Sequence, residues 1–247
     1  MARGTRWSHG SLLGAHLALN LAGWLGTAIA GTLHTFFPSL TQTRLRFQRL
    51  QKPTYLLWLL GVIELAVAAA FASEVLMAVG WGDLLVSAAL LCVNLLASLR
   101  AAARPLALPA RLLALGQGFL AVGLIVAFVA TIVGGTSAPF EAGVSGVLAA
   151  LLLAGWIGLT VSGSLLHLLA VLGRIRRFTV AMPAPRPGRD RALTAVAGTG
   201  VSALALSHAP GLAPLAGPAS VITLAAATAL ALHVLALAMH AVGRTSS

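Results

Sequence analysis

The polar residues of one apolar stretch, residues 12–37, recur at spacings that could support ligand binding. If the stretch is an α-helix, six residues share one narrow face: His16, Asn20, Gly23, Thr27, Gly31 and His34. Polar side chains in hydrocarbon are costly unless they find a partner, so this face belongs inside a helix bundle. Its small residues let a second helix or a flat ligand come close. The pattern predicts a membrane helix with a ligand-binding face.

The seven histidines of the chain separate by predicted depth in the membrane. His16 and His208 lie near the outer ends of their predicted helices, and an inner group comprises His34, His167, His233 and His240. Facing imidazoles from two helices are how helix bundles hold haem iron or copper. His16 and His34 would lie about 27 Å apart along one helix, so they cannot share an iron. We therefore expect His16 and His208 to ligate one metal centre. The other candidates for binding a cofactor, some at a second site, are His34, His167, Asn20 and Gly23.

Each of these polar residues also has a structural interpretation, because a histidine at a helix end can reach the interface or cap a carbonyl group. Glu64 lies near the middle of an apolar run, where a carboxylate is a candidate for a proton or ion path or for a histidine partner. A protonated glutamate hydrogen-bonded to a neighbouring helix is the alternative. Asn94 and Gln117 are predicted to form hydrogen bonds between helices. Asp83 and Glu74, at the predicted outer depth, are expected to accept hydrogen bonds from ligating imidazoles.

Composition determines the class of protein. Of the 247 residues, 59% are hydrophobic and 9% are charged, and the mean hydropathy is +0.96, whereas an ordinary soluble domain has about 25% charged residues. We therefore expect a polytopic membrane protein. Its one cysteine, Cys92, excludes an intramolecular disulfide and multi-cysteine metal sites. The net charge of +11 does not indicate nucleic acid as a partner, because the arginines lie in short loops between apolar runs.

Seven apolar runs approach the length of about 20 residues that a membrane-spanning helix needs. They cover residues 12–37, 54–73, 76–98, 112–133, 144–172, 193–209 and 219–241. The sixth is the weakest, because it is short and rich in glycine, serine and alanine. The predicted fold class is all-α: one domain over residues 1–247, built as a bundle of about seven transmembrane helices in a lipid bilayer.

Basic residues predict the orientation of these helices. All Lys and Arg residues except Arg3 and Arg6 fall in alternate loops and near the C-terminus, so the N-terminus is predicted outside and the C-terminus in the cytoplasm. A signal peptide is an alternative for the first run, because Arg3 and Arg6 precede it and residues 28–30, AIA, resemble a cleavage site. The run continues to Phe37 and contains His16, which favours a membrane helix.

Part of the first apolar run recurs in the fifth. Residues 21–33, LAGWLGTAIAGTL, align with residues 153–165, LAGWIGLTVSGSL, which pairs Trp24 with Trp156. Both runs are predicted to cross the membrane in the same direction, so the repeat is parallel. Chance similarity between apolar helices is the alternative. The predicted related halves are residues 1–111 and 112–247.

A longer motif runs through the first helix: H-x-A-L-N-L-x-G-W from His16, then Gly31-Thr32, then Pro38 just past the predicted inner end. It resembles a helix of haem–copper oxidase subunit I and, more fully, the H-x-H-L-N-L-x-G-W motif of NnrS-type haem–copper membrane proteins and of the membrane modules of actinobacterial multicopper oxidases. Ala18 stands in place of the second histidine of that motif. The resemblance therefore implies a haem-binding module of a bacterial inner membrane, with haem b favoured over copper, and not an oxygen-reducing oxidase.

Two hypotheses from different classes follow. The first is an electron-transport protein or subunit of a respiratory chain, which holds haem b between His16 and His208 and exchanges electrons with a redox partner or larger membrane complex. The second is a cofactor-free transporter, or an assembly or scaffold subunit, in which the histidines and Glu64 line a proton or metal path. Whether the chain is itself an enzyme is left open by both.

Overall fold

The computed structural model describes residues 9–102, 105–176 and 186–242, and none of these forms a β-strand. Their α-helices are α1 (His9–Leu17), α2 (Thr27–Thr41), α3 (Gln51–Phe71), α4 (Glu74–Ala101), α5 (Leu108–Gly134), α6 (Ala142–Leu148), α7 (Leu159–Arg176), α8 (Pro187–Ser207) and α9 (Ala216–Val242). Two π-helical stretches, π1 (Ala18–Gly26) and π2 (Ala149–Gly158), join α1 to α2 and α6 to α7. Short 3₁₀ turns cover Gln48–Leu50, Ala138–Phe140 and Ala213–Leu215.

Six helices in the described part of the chain are long and apolar enough to cross a membrane. They are Leu12–Thr41, Gln48–Phe71, Glu74–Ala101, Leu108–Gly134, Ala142–Gly173 and Ala213–Met239. The prediction of an all-α polytopic membrane protein is therefore confirmed. The remaining predicted span, residues 193–209, lies largely within α8, a helix of 21 residues that is not among the six. The count of seven spans and the orientation stay predictions.

Left-handed residues end two of these helices. Gln42 follows α2 with φ of 56°, and Ala72 follows α3 with φ of 52°. The expectation that Pro38 lies just past the first helix is wrong, because α2 continues through Pro38 to Thr41. The missing N–H of a proline costs a helix one hydrogen bond to the preceding turn. The helix ends one turn after Pro38, where Thr43 N donates to Pro38 O at 2.9 Å.

The chain forms two compact units, of which the first comprises residues 1–101 and 121–148. In this unit α3 and α4 form an antiparallel hairpin that packs against the long helix of α1, π1 and α2. The hairpin helices meet at Gly61 and Gly80, where a Cβ on Gly61 would lie 2.7 Å from Gly80 O. Large side chains buried in this unit include Phe37, Trp58, Met77, Leu84 and Leu91.

The second unit comprises residues 102–120 and 149–247. Its α8 and α9 form a hairpin that packs against π2 and α7. Gly200 meets the backbone of Thr223, since an added Cβ would lie 3.0 Å from Thr223 Cα. Its buried leucines include Leu112, Leu113, Leu120 and Leu166. Each unit thus contains a long helix with a π-helical stretch, followed by a helical hairpin.

Both π-helical stretches contain the Gly-Trp pair of the sequence repeat. π1 ends at Gly26 and π2 at Gly158, and these glycines occupy equivalent positions in the aligned repeat. Well under 1% of residues in proteins are π-helical, so the two aligned stretches share a rare local structure, and the internal repeat stays a prediction. The two tryptophans differ in environment, because Trp24 is 79% exposed and Trp156 is 3% exposed.

Candidate functional site

His16 and Asn20 meet on the surface of the first long helix. Asn20 Nδ2 donates to the backbone carbonyl oxygen of His16 at 2.9 Å and lies 3.2 Å from His16 Nδ1. Because the amide nitrogen is the donor to that carbonyl, Nδ1 accepts and Nε2 carries the ring proton. Both side chains are exposed. The turn before π1 therefore presents an oriented imidazole that a ligand can reach.

This imidazole can serve iron after a change of tautomer. A ligating imidazole offers one bare nitrogen while the other ring N–H donates to an acceptor. Ligation through Nε2 would therefore require His16 to give up its contact with the Asn20 amide. A neutral hydrogen bond contributes only about 1 kcal/mol net, which is small beside the binding free energy of a metal site. The residues at this position consequently fit an axial ligand.

His208, the other predicted axial ligand, belongs to the second unit. It follows the last residue of α8, its backbone N–H donates to Ala205 O at 3.2 Å, and its side chain is exposed. Its imidazole forms no hydrogen bond with any residue that the structure describes. Both predicted ligands are thus accessible within their own units, and their pairing on one iron stays a prediction.

His34 has the opposite environment from His16. Its side chain is only 7% exposed, and Nδ1 lies 3.0 Å from Ala30 O, so Nδ1 carries the proton and donates. Nε2 then holds a lone pair; it is buried and has no hydrogen-bond partner among the described residues. Buried polar atoms in native proteins nearly always have a partner. His34 is therefore an acceptor that lacks a donor.

The other inner histidines are engaged or lie outside the described side chains. His167 in α7 is half-buried and interacts with a neighbouring group. His233 Nε2 in α9 lies 3.5 Å from Arg189 Nη2. The side chain of His240 falls outside what the structure describes. Among the described residues, no group of three or more His, Cys, Asp and Glu side chains could hold a metal ion. A second site formed by His34 and His167 stays a prediction.

Gly23 and its neighbours bring π1 against α3. A Cβ on Gly23 would lie 3.1 Å from Val62 Cγ1, so this glycine admits a helix. Thr27 N–H bonds to Gly23 O and Trp24 O, and Ala22 O accepts a hydrogen bond from the indole of Trp58 at 2.8 Å. Trp58 thus braces the π-helical stretch, a role for which its position in an apolar run gave no signal.

Glu64 and Asp83 lie close enough across the hairpin of α3 and α4 for their carboxyl groups to interact electrostatically. Helical side chains lean toward the N-terminus, and because α3 and α4 are antiparallel, these two lean toward each other across the Gly61–Gly80 crossing. Two carboxyl groups form a hydrogen bond only if one of them holds a proton. Glu64 Oε2 is buried and has no partner in the described part of the chain. Asp83 therefore lies within reach of Glu64, and its predicted hydrogen bond to a ligating imidazole stays a prediction.

The two predicted amide contacts have different outcomes. Gln117 Nε2 donates to Thr160 Oγ1 at 3.1 Å, which confirms a hydrogen bond between helices α5 and α7. Asn94 instead binds the loop before α3: it accepts from Phe47 N at 3.1 Å and donates to Phe47 O at 3.2 Å. Polar residues buried in a span can therefore order a loop as well as join helices.

Asp190 is a buried charged residue that sequence reasoning missed. Its side chain is 3% exposed, Oδ2 accepts from Leu108 N at 3.3 Å, and Oδ1 lies 3.5 Å from Arg189 Nη2. A carboxylate at the start of α5 satisfies a free N–H and complements the helix dipole. Its partner is 82 residues away, so no local spacing could have indicated it.

The six long apolar helices of the described residues define the class as a helical integral membrane protein. No protein-family model, curated protein or solved structure matches the chain.

Proposed function

We propose that this protein is a haem-binding membrane electron-transfer protein, or the haem-carrying subunit of a larger respiratory-chain complex. The proposed cofactor is haem b, with His16 and His208 as axial ligands. The observation that carries the proposal is the accessible imidazole of His16. This residue lies in the last turn of α1, and Asn20 in π1 contacts its ring. π-helical turns inside α-helices are rare and frequently occur at functional sites.

The haem would supply the one-electron chemistry of its iron. The chain would supply two neutral imidazoles, exclude water with its apolar helices and tune the reduction potential through burial and hydrogen bonds. Asn20 is the side chain within reach of His16 Nδ1; with its amide turned over, its Oδ1 would accept from Nδ1–H of the ligating imidazole, so Asn20 would be a positioning residue. If His16 and His208 both hold the haem, the chemistry that it would supply is electron exchange.

The proposal includes an orientation in the inner membrane of a bacterium. Seven spans, with α8 among them, put the N-terminus outside and the C-terminus in the cytoplasm. The support is the distribution of basic residues, since all Lys and Arg residues except Arg3 and Arg6 fall in segments assigned to the cytoplasmic side. His16 and His208 would then both lie in the outer half of the membrane.

A visible absorption spectrum of the purified protein tests the haem proposal. After expression with ample haem, we expect the bands of a low-spin b-type haem. His16→Ala and His208→Ala should each abolish this spectrum, because bis-imidazole ligation needs both rings. His9→Ala is the matched control and should keep it, since His9 precedes the first membrane-spanning helix. A colourless protein, or unchanged spectra in both ligand variants, would refute the proposal.

A second candidate function is a cofactor-free proton or ion path, and the Glu64–Asp83 carboxyl contact favours it. Ionisable residues inside membrane helices often mark proton relays and ion pathways. Parallel internal repeats are also a feature of several transporter folds. The chain would then be a small transporter, or an assembly or scaffold subunit. A colourless protein made with ample haem would favour this function over the first.

A further inference from the structure

A groove of about 430 Å³ lies beside the middle of α2 and the start of α3, within the first unit. Its lining includes Gly31, His34, Gln51, Lys52, Tyr55 and Leu56. We propose that this groove binds the headgroup of an anionic phospholipid that carries a free hydroxyl group, as phosphatidylglycerol does. The inference goes beyond the proposed function and does not depend on haem.

The charge around the groove is positive. Lys52 lines it, and the preceding loop carries Arg44, Arg46 and Arg49. Lys52 forms no ion pair with any described residue. Glu64, the one acidic residue of α3, lies about 18 Å along the helix from Lys52. Basic pockets between membrane helices are suited to anionic lipid headgroups, so the charge favours a phosphate in this groove.

Three neighbouring side chains offer the donors that a phosphate needs. They are the amide of Gln51, the ammonium of Lys52 and the hydroxyl of Tyr55, none of which has a hydrogen-bond partner in the described part of the chain. All three lie in the first turns of α3. Hydrogen bonds from a charged donor to a phosphate are roughly twice as strong as neutral ones. Lys52 is therefore expected to provide most of the affinity.

The buried His34 distinguishes this groove from an ordinary basic surface. Its Nδ1–H donates to Ala30 O, and its Nε2 lone pair has no partner among the described residues. Gly31, one turn earlier, lines the same groove and is exposed, and an added Cβ there would meet no atom within 4 Å, so the groove is open on this side of α2. A headgroup hydroxyl can donate to Nε2 while the phosphate remains with Lys52. A choline headgroup has no hydroxyl for this contact.

The apolar surface next to the groove suits an acyl chain. Four exposed residues of α3 share one helical face that begins at the groove: Leu56, Leu60, Ile63 and Val67. The polar and apolar parts of a phospholipid would therefore contact successive turns of the same helix, with the headgroup at Lys52.

Native mass spectrometry of the purified full-length protein tests the proposal. The protein is titrated with phosphatidylglycerol and, separately, with phosphatidylcholine of the same acyl chains. We expect the wild type to prefer phosphatidylglycerol by about fiftyfold: about tenfold because Lys52 repels the choline ammonium, and about fivefold from the hydroxyl contact to His34. Lys52→Gln should remove most of this preference, whereas Tyr55→Phe should weaken both lipids alike, because each carries the phosphate that Tyr55 would bind. Arg100→Gln is the matched control, because Arg100 is exposed at the end of α4 and does not line the groove.

A third lipid tests the role of His34. Phosphatidylmethanol has the same phosphate charge as phosphatidylglycerol but no headgroup hydroxyl. The wild type should bind it about fivefold more weakly, as expected for one neutral hydrogen bond. His34→Leu should bind the two anionic lipids equally and still prefer both over phosphatidylcholine. Melting temperatures in detergent verify that each variant is folded, and the wild-type comparison of the two anionic lipids needs no variant.

Equal binding of phosphatidylglycerol and phosphatidylcholine by the wild type would overturn the proposal. An effect of Arg100→Gln as large as that of Lys52→Gln would also overturn it, because the attraction would then belong to the whole basic surface. Equal binding of the two anionic lipids by the wild type would eliminate the hydroxyl contact to His34. None of these readouts involves haem, so they stand apart from the test of the proposed function.

Discussion

At the residue scale, His16 and His34 on one long helix use Nδ1 in opposite ways. The Asn20 amide donates to Nδ1 of His16, whereas Nδ1–H of His34 donates to Ala30 O. His16 therefore has a protonated Nε2 at an exposed position, and His34 has a bare Nε2 at a buried one. The hydrogen-bond partner, and not depth in the membrane, decides what each imidazole can bind.

The Glu64–Asp83 contact leads to a prediction about stability. Glu64→Ala should destabilise the protein by about 1–3 kcal/mol, because Asp83 would keep its carboxyl group within a membrane helix without its partner. Glu64→Gln should cost much less, since an amide can still donate to a carboxylate. Thermal unfolding in detergent measures both effects. Glu141→Gln removes an exposed charge while its amide oxygen still accepts from Ser137 Oγ, and as the control it should change stability by less than about 0.5 kcal/mol. Equal losses in the Ala and Gln variants of Glu64 would argue against the carboxyl pair.

The sequence indicated which residues are unusual but not which of them meet. Glu64 stands out as a charge in an apolar run, and Asp83 was correctly placed within its own helix. Their contact depends on how α3 and α4 cross at Gly61 and Gly80, which neither segment determines alone. The depth of a residue in the membrane follows from its position within one span. Which residues of two helices face each other follows from how those helices pack.

At the scale of elements, the long helices were predictable because their signal is local. A helix in lipid satisfies its own backbone and carries apolar side chains over its whole length, so the run at residues 54–73 became α3, Gln51–Phe71. The π-helical stretches left only an indirect trace, the repeated Gly-Trp pair. At π1 the carbonyl oxygen of Ala22 is bound by Trp58, 36 residues away, and no local pattern encodes that partner.

The hairpin of α3 and α4 should be sensitive to any side chain at Gly61. Gly61→Ala would place a Cβ 2.7 Å from Gly80 O, and overpacking of this kind typically costs about 1–3 kcal/mol. Gly82→Ala is the matched control in the same hairpin, because its Cβ would meet only Phe128 Cε2 at 3.8 Å. That variant should gain up to about 1 kcal/mol from helix propensity. Chemical unfolding of the two purified variants measures the difference, and similar stabilities would contradict the close crossing.

At the scale of the whole molecule, α8 explains why hydropathy alone left the number of spans open. With 21 residues, α8 is about 31 Å long, enough to cross the hydrocarbon core. It buries Asp190 and meets α9 through Gly200, so part of its surface contacts protein and need not be apolar. A helix in such a position has a lower hydropathy than a lipid-facing one, whether or not it spans the membrane.

Cysteine labelling in intact cells distinguishes six spans from seven. In a background with Cys92→Ser, single cysteines replace Thr5, Pro210 and Ser246. If α8 spans the membrane, a membrane-impermeant maleimide should label the cysteines at positions 5 and 210, and the one at 246 only after the cells are permeabilised. If α8 stays on the cytoplasmic side, α9 runs outward, so position 246 is labelled in intact cells and position 210 is not. The two topologies thus predict opposite results at positions 210 and 246. Position 5 is expected outside in both, so its labelling is the control. If position 5 were protected in intact cells, the orientation inferred from the basic residues would be reversed.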